Sequence, residues 1–242
     1  MTDYNWNTLG RLGNQMFIHA YGSFLARKNG LEWRCNIKNL TKGINTDLVD
    51  GKKLFVSKKI TDNDAWFYVN KEISEGTEIS GWFQQPELVN NPIYAQHLNN
   101  IFKIEKRYNI NPNHVFVHIR AGDIEQTGKM LPLEYYDSQL QKLQFCGGSV
   151  SSDSPNSPIV KKIMEKYNLG FYNSTPEDTI IFGASHKKMV LSSGSFSFWI
   201  GVLSYKDSEI EIMTMNELME KYGTELTHPN YSLKLVKKYA NT

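Results

Sequence analysis

The sequence predicts an α/β fold in which parallel strands alternate with helices, and three observations predict it. A continuous apolar run, Val115 to Ile119, suits a strand buried on both faces in the middle of a parallel sheet. Behind it, short strand-like and helix-like segments alternate as far as Met213. Ahead of it, Met16, Phe17, Ala20, Tyr21, Phe24 and Leu25 recur at helical spacing and place one apolar stripe against a core. At roughly 100–200 residues per domain, a chain of 242 residues makes one large domain or two small ones. Two are expected, 1–108 and 109–242, joined by a linker near Asn109 to Asn113.

The first helix is expected from about Asn14 to Lys28, with Asn29-Gly30 as its stop signal. The residues before it, Asp3 to Thr8, are too polar for a long buried strand, so any strand there is short or missing. From Leu31 to Ser80 the signals are mixed, with β-leaning pieces such as Ala65 to Val69. Ile79 to Gln84 reads as a strand ending in a loop, and Pro86 to Ile104 as helix interrupted at Pro92. After the run at Val115, helices are expected at Leu133–Leu143, Ile159–Lys166, Thr179–Ala184 and Phe196–Leu203. Strands are expected at the Ser149–Asp153 edge, at Gly170–Tyr172, at Met189–Leu191 and at Ile210–Met213. This alternation is that of a Rossmann-like half. No repeat at a fixed period is present, and the serine-rich patch Ser149 to Ser157 reads as a loop.

Composition narrows the function. With 40% hydrophobic, 12% aromatic and 21% charged residues the chain is of ordinary globular type. Lys and Arg number 27 against 25 Asp and Glu, so no charge excess argues for nucleic acid or a membrane surface. A negative partner must be met by local charge. Cys35 and Cys146 are too few for a disulfide framework and are not spaced as zinc ligands, which fits a reducing compartment. No signal-peptide core opens the chain, and no stretch approaches the ~18 apolar residues that span a bilayer. The chain therefore reads as cytoplasmic, without an anchor.

Three segments are built to meet an anion or a sugar. Gly10-Arg11-Leu12-Gly13-Asn14-Gln15 stands at a helix start, where glycines admit close backbone approach and the N–H groups of the first turn favour negative charge. It lacks the Gly-Lys-Ser/Thr of a P-loop, and a plain tight turn is the competing reading. His118-Ile119-Arg120-Ala121-Gly122-Asp123 stands at the carboxyl end of the strongest strand, where ligands of open α/β sheets bind. There Arg120 can clamp a phosphate with two N–H donors; the competing reading makes Arg120 and Asp123 a structural ion pair. Leu191-Ser192-Ser193-Gly194-Ser195-Phe196-Ser197-Phe198-Trp199 runs from strand through a hydroxyl-rich turn into an aromatic helix, a second phosphate cradle or an ordinary serine-capped helix.

These segments resemble, in order, the three signatures of the α-1,2-fucosyltransferases, glycosyltransferase family 11, within a clan that includes the protein O-fucosyltransferases. Gly10 to Phe17 resembles the family's Gly-Gly-Leu-Gly-Asn-Gln-Met-Phe, with Arg11 in place of the second glycine, where the protein O-fucosyltransferases carry arginine. His118 to Asp123 resembles His-x-Arg-Arg-Gly-Asp, with Ala121 where a second arginine is usual. Ser192 to Trp199 resembles Asn-Ser-Ser-Phe-Ser-Trp-Trp. Weaker likenesses lie at Gly81-Trp82-Phe83-Gln84, Ser151-Ser152-Asp153 and Pro176-Glu177-Asp178, so that the resemblance spans about Gly10 to Ile212.

The resemblance implies a GT-B-like fold of two Rossmann-like lobes, with a nucleotide-sugar site in the cleft between an acceptor-side lobe, 1–108, and a donor-binding lobe, 109–242. It implies an inverting, metal-independent transfer of a sugar, L-fucose from GDP-fucose first, to a hydroxyl of a glycan acceptor, with no cofactor. Donor-binding residues would be Arg11, Gly13, Asn14, Gln15, His118, Arg120, Asp153, Ser193, Ser195 and Ser197. Arg120 would stabilise charge on the β-phosphate, Asp123 or Glu125 would take the acceptor proton, and Trp82, Phe83 and Gln84 would meet the acceptor, with core packing the favoured competing reading for Trp82 and Phe83. Eukaryotic sugar transferases of the secretory pathway usually carry an anchor, so either a bacterial or viral type or a trimmed form of a longer chain is expected. Two alternatives stay open: a transferase using another nucleotide sugar, and an inactive nucleotide- or carbohydrate-binding protein.

Overall fold

The computed structural model describes residues 2–4, 10–33, 43–45, 58–125, 130–211, 233 and 236. In chain order the first part comprises β1 (Thr2–Tyr4), α1 (Leu12–Lys28), β2 (Ile44–Asn45), β3 (Lys58–Thr61), α2 (Ala65–Tyr68), β4 (Thr77–Ser80), α3 (Pro86–Val89), α4 (Pro92–Ile101) and β5 (Lys103–Ile104). The first strand exists and is short. It pairs in parallel with β4, which pairs in parallel with β3, giving the order β1-β4-β3. β2 and β5 form a separate antiparallel pair. Pro92 does not interrupt one helix but opens another, at the first-turn position where its missing N–H costs nothing. The Asn91 side chain caps that helix, accepting from the amides of Ile93 and Tyr94.

Ala65 to Tyr68, β-leaning by composition, is a helical turn whose first carbonyl accepts the buried Tyr21 hydroxyl at 2.9 Å. α1 carries no single stripe: from Leu12 to Ala26 every residue except Asn14 and Gln15 is buried. A helix apolar nearly all round belongs inside a core rather than on its surface.

The second part comprises β6 (His114–Ile119), α5 (Leu133–Leu140), β7 (Gly147–Ser152), α6 (Pro158–Tyr167), β8 (Gly170–Phe171), α7 (Pro176–Ala184), β9 (Lys188–Leu191), α8 (Ser195–Leu203) and β10 (Glu209–Glu211). Its five strands are parallel, in the order β10-β9-β6-β7-β8. Counted from β6 this is 3-2-1-4-5, the doubly wound Rossmann-like order. β7 is thus an inner strand and not the edge or loop its serines suggested. Residues 212 and 213 of the last expected strand lie outside the described residues.

β6 sorts the core by alternation. Val115, Val117 and Ile119 face a cluster with Val150 of β7 and with Tyr135, Tyr136, Leu140, Val160 and Ile163 of the α5 and α6 layer. Phe116 faces the opposite cluster, with Ile180, Phe198 and Trp199 of α7 and α8 and with Phe17, Tyr21, Tyr94 and Leu98 of α1 and α4. That second cluster runs unbroken across the expected boundary at 108. Arg107, beside that boundary, donates to the carbonyls of Ala184 and Leu203, the last residues of α7 and α8, at 2.6 Å each. Among the described residues no helix is long and apolar enough to cross a membrane.

Candidate functional site

Strand order in the second sheet reverses between β6 and β9, and the loops leaving the carboxyl ends of β6, β7, β8 and β9 converge there. They line a cavity of about 530 Å³, closed on its other side by Gly10 to Gln15 at the start of α1. Two helix N-termini border it, those of α1 and α8, and neither has a side-chain cap or an acidic residue in its first turn. Helix starts of this kind favour an anion.

The two starts touch through backbone. A Cβ placed on Gly13 would lie 2.6 Å from the Phe196 amide nitrogen and 2.8 Å from the Ser195 carbonyl carbon. Gly13 is therefore needed first for helix crossing; the sequence suggested only close approach of a ligand. Trp199 Nε1, buried in α8, donates to the Gly13 carbonyl at 3.0 Å and locks the crossing. Asn14 projects from it toward the cavity, and its Oδ1 accepts from Ser195 Oγ at 2.5 Å and from Gln84 Nε2 at 2.9 Å. Those three side chains join the loop after β4, the start of α1 and the start of α8. Gln15 turns back to the Gly10 carbonyl at 3.2 Å.

Arg120 leaves the end of β6 into the cavity, its side chain 24% exposed. Its guanidinium lies against Gly194: a Cβ there would sit 2.8 Å from Nη1, and Gly194 holds φ +114°. Only glycine takes that conformation without strain, so this position both turns the chain into α8 and leaves room for the arginine. Nε is buried without a hydrogen-bond partner, and Nη2 approaches Asp123 Oδ2 only at 3.5 Å. The ion pair foreseen as a competing explanation is thus long, and it does not turn Arg120 away from the cavity.

Asp123 is held more closely by Arg11, at 2.6 Å to Oδ1, while Arg11 also reaches Asp153 Oδ2 at 2.9 Å. Asp153 accepts the amides of Ala121 and Gly122 through Oδ1 at 2.9 and 3.0 Å, so it fixes the loop after β6. Burial raises both carboxyls. The Arg11 hydrogen bond and the charges of Arg120 and Arg11 at Asp123, and the two amides and Arg11 at Asp153, outweigh it and hold both below the usual carboxylate range.

His118 shares the face of Phe116 and lines the cavity, with Nδ1 2.6 Å from Ser197 Oγ. Desolvation lowers it to about 4, against the opposing pull of Asp153, so the ring is neutral near neutral pH. The end of β9 is braced from the α5 side, where Tyr135 donates to the Leu191 carbonyl and Tyr136 to Ser192 Oγ.

Of the residues singled out in the sequence, Arg11, Gly13, Asn14, Gln15, His118, Arg120, Asp123, Asp153 and Ser195 come together around one cavity. Others do not line it. Ser197 is fully buried against His118, and Ser193 is buried beside the β9 turn. Glu125 is exposed and does not line the cavity. Phe83 cannot meet a sugar, because a backbone φ of +54° turns its ring inward, fully buried and stacked on Tyr21 at 4.3 Å. Trp82 is 42% exposed beside Gly10, its ring 3.1 Å from where a Cβ on Gly10 would sit, and Gln84 acts behind Asn14. Ser151 and Glu177, which stood only within the weaker family likenesses, also line the cavity, as do Asn173, Ser174 and Thr179, which sequence reasoning did not reach as site residues. Asn173 and Ser174 follow β8, and the rule that ligands sit at the carboxyl ends of strands would have found them.

Among the described residues no cluster of three or more His, Cys, Asp or Glu side chains could hold a metal ion. Comparison with family models, with curated proteins and with solved structures gave no match.

Proposed function

We propose that the protein is a glycosyltransferase that takes a sugar from a nucleoside diphosphate, with its diphosphate against Arg120 and the starts of α1 and α8. The observation that carries the reading is Arg120 itself: a guanidinium in a cavity between two uncapped helix starts, with a buried Nε lacking a partner. The GT-B-like arrangement belongs to the same proposal. In it, β1-β4-β3 is the core of the acceptor-side lobe and the five-stranded sheet that of the donor lobe, facing each other through Gln84, Asn14 and Ser195. The order of the three motifs favours GDP-fucose as donor and a glycan hydroxyl as acceptor.

In the reaction proposed, the acceptor oxygen forms a bond to the anomeric carbon from the face opposite the leaving group. The bond from that carbon to the β-phosphate oxygen breaks, and its electron pair stays on the phosphate. Arg120 and the helix-start amides stabilise that growing charge, the work a divalent ion does in other transferases. Asp123 is the remaining candidate for the acceptor proton, since Glu125 lies outside the cavity. Trp82, exposed at the Gly10 rim, is the acceptor-side aromatic.

Thermal unfolding with GDP, UDP, ADP and CDP tests this. GDP at 100 to 1,000 times its Kd should stabilise the fold by roughly 3–4 kcal/mol. GDP release from GDP-fucose in the presence of a glycan panel should follow. A shift with UDP alone would assign another donor, binding without turnover would assign an inactive binding protein, and no shift with any nucleotide would reject the reading.

A further inference from the structure

Two carboxylates stand beside the cavity arginines, and they are held differently. Asp153 is fixed by two backbone amides and belongs to the scaffold. Asp123 is 59% exposed on the loop after β6 and is held by guanidinium ends, with Oδ1 toward Arg11 and Oδ2 toward Arg120. One anion thus presents one oxygen to each of two guanidiniums, closely at Arg11 (2.6 Å) and more loosely at Arg120 (3.5 Å), and arginines take phosphate oxygens through the same kind of charge-assisted bond. Among the described lining residues the cations are Arg11 and Arg120, against the carboxylates Asp123, Asp153 and Glu177. A diphosphate entering beside all three would add like charge to a site already short of cations.

We propose that Asp123 is an internal stand-in for the ligand's phosphate: it occupies Arg11 and Arg120 in the free protein and is displaced when a diphosphate binds. The inference rests on the anion site of the proposed function and adds a sequence of events. Arg11 and Arg120 exchange a carboxylate for phosphate oxygens, and the exposed Asp123 side chain swings toward solvent while the loop beneath it stays held by Asp153. Released from Arg11, its carboxylate regains ordinary basicity at the cavity mouth. The group able to take the acceptor proton then becomes available only after the donor has bound, so that donor binds first.

Calorimetric titration with pyrophosphate and with GDP tests this on the full chain. Asp123→Asn keeps the shape and removes the competing charge, so it should bind both about tenfold more tightly at low salt, with the gain shrinking as salt screens it. Asp123→Glu, which restores a carboxylate, should return toward wild type. Asp207→Asn changes net charge equally, at an exposed pair with Lys187 outside the cavity, and should leave affinity unchanged. Circular dichroism of each variant checks its fold, and Asp123→Ser supplies a second uncharged side chain. Wild-type GDP binding that Asp123→Asn and Asp123→Ser fail to tighten would overturn this inference alone. Absence of GDP and pyrophosphate binding in all forms would overturn the anion site beneath it.

Discussion

Gly13→Ala puts a single methyl group at the point where α1 and α8 cross. The new Cβ would lie 2.6 Å from the Phe196 nitrogen, 2.8 Å from the Ser195 carbonyl carbon and 2.9 Å from the Phe196 Cα. All are backbone atoms, so no rotamer change relieves the overlap. Opening the closest contact from 2.6 Å to the 3.4 Å of ordinary packing separates the helices by about 0.8 Å. The Trp199–Gly13 bond at 3.0 Å and the Ser195–Asn14 bond at 2.5 Å span the same crossing and stretch with it. Overpacking costs about 1–3 kcal/mol, and weakening one buried hydrogen bond adds about 1. The higher helix propensity of alanine returns about 1. The net loss is roughly 2 kcal/mol, or about 4–8 °C in melting temperature for a chain of this size. Calorimetry on wild type and variant reads it. A variant that melts at or above the wild-type temperature would refute the crossing, and with it the reason the two helix starts share one cavity.

Three further outcomes follow from the packing and the buried charges. Arg107→Ala should lower unfolding stability by about 2–3 kcal/mol, because two buried carbonyls at the ends of α7 and α8 lose their donor; a wild-type urea midpoint would contradict this. Desolvation lowers His19 to about 3 and His97, His118 and His186 to about 4, from an ordinary 6.5. Between those values the unfolded chain takes protons that the folded chain refuses, so stability is full above about pH 6.5 and falls as pH drops toward 4. The slope is at most about 1.4 kcal/mol per pH unit for each histidine. Urea midpoints at successive pH values should show the fall, His97→Asn should flatten it, and a level profile would contradict the assignment. Trp82→Ala should raise the acceptor KM and leave GDP affinity alone, whereas weaker GDP binding would move Trp82 to the donor side.

The sequence made legible those elements whose local signal agrees with their tertiary place. β6 declared itself by an unbroken apolar run and α8 by a serine turn leading into aromatics, while the periodicity of α1 located the helix but understated its burial, since nearly its whole circumference lies in the core. β7 did not, since Gly147, Gly148 and Ser149 have the composition of a turn. In the sheet a Cβ on Gly148 would lie 2.0 Å from the Val115 carbonyl oxygen, so a close strand neighbour requires what local propensity argues against. Ala65 to Tyr68 misled in the opposite direction: aromatic composition suggests a strand, while Tyr21 and the core beneath favour a helical turn. The site residues were largely readable because strand ends and helix starts announce anion-binding positions. Which side chains face inward was not, as Phe83 shows: its direction depends on one positive φ that a Trp-Phe-Gln loop does not reveal.

The proposed function stands on Arg120 gripping a diphosphate. Phosphorus NMR of GDP mixed with the wild-type protein and with Arg120→Ala reads that contact at the atom concerned. The wild type should shift or broaden the β-phosphorus resonance, while Arg120→Ala, folded by circular dichroism, should leave it at its free position. An equal perturbation by both proteins would contradict the account.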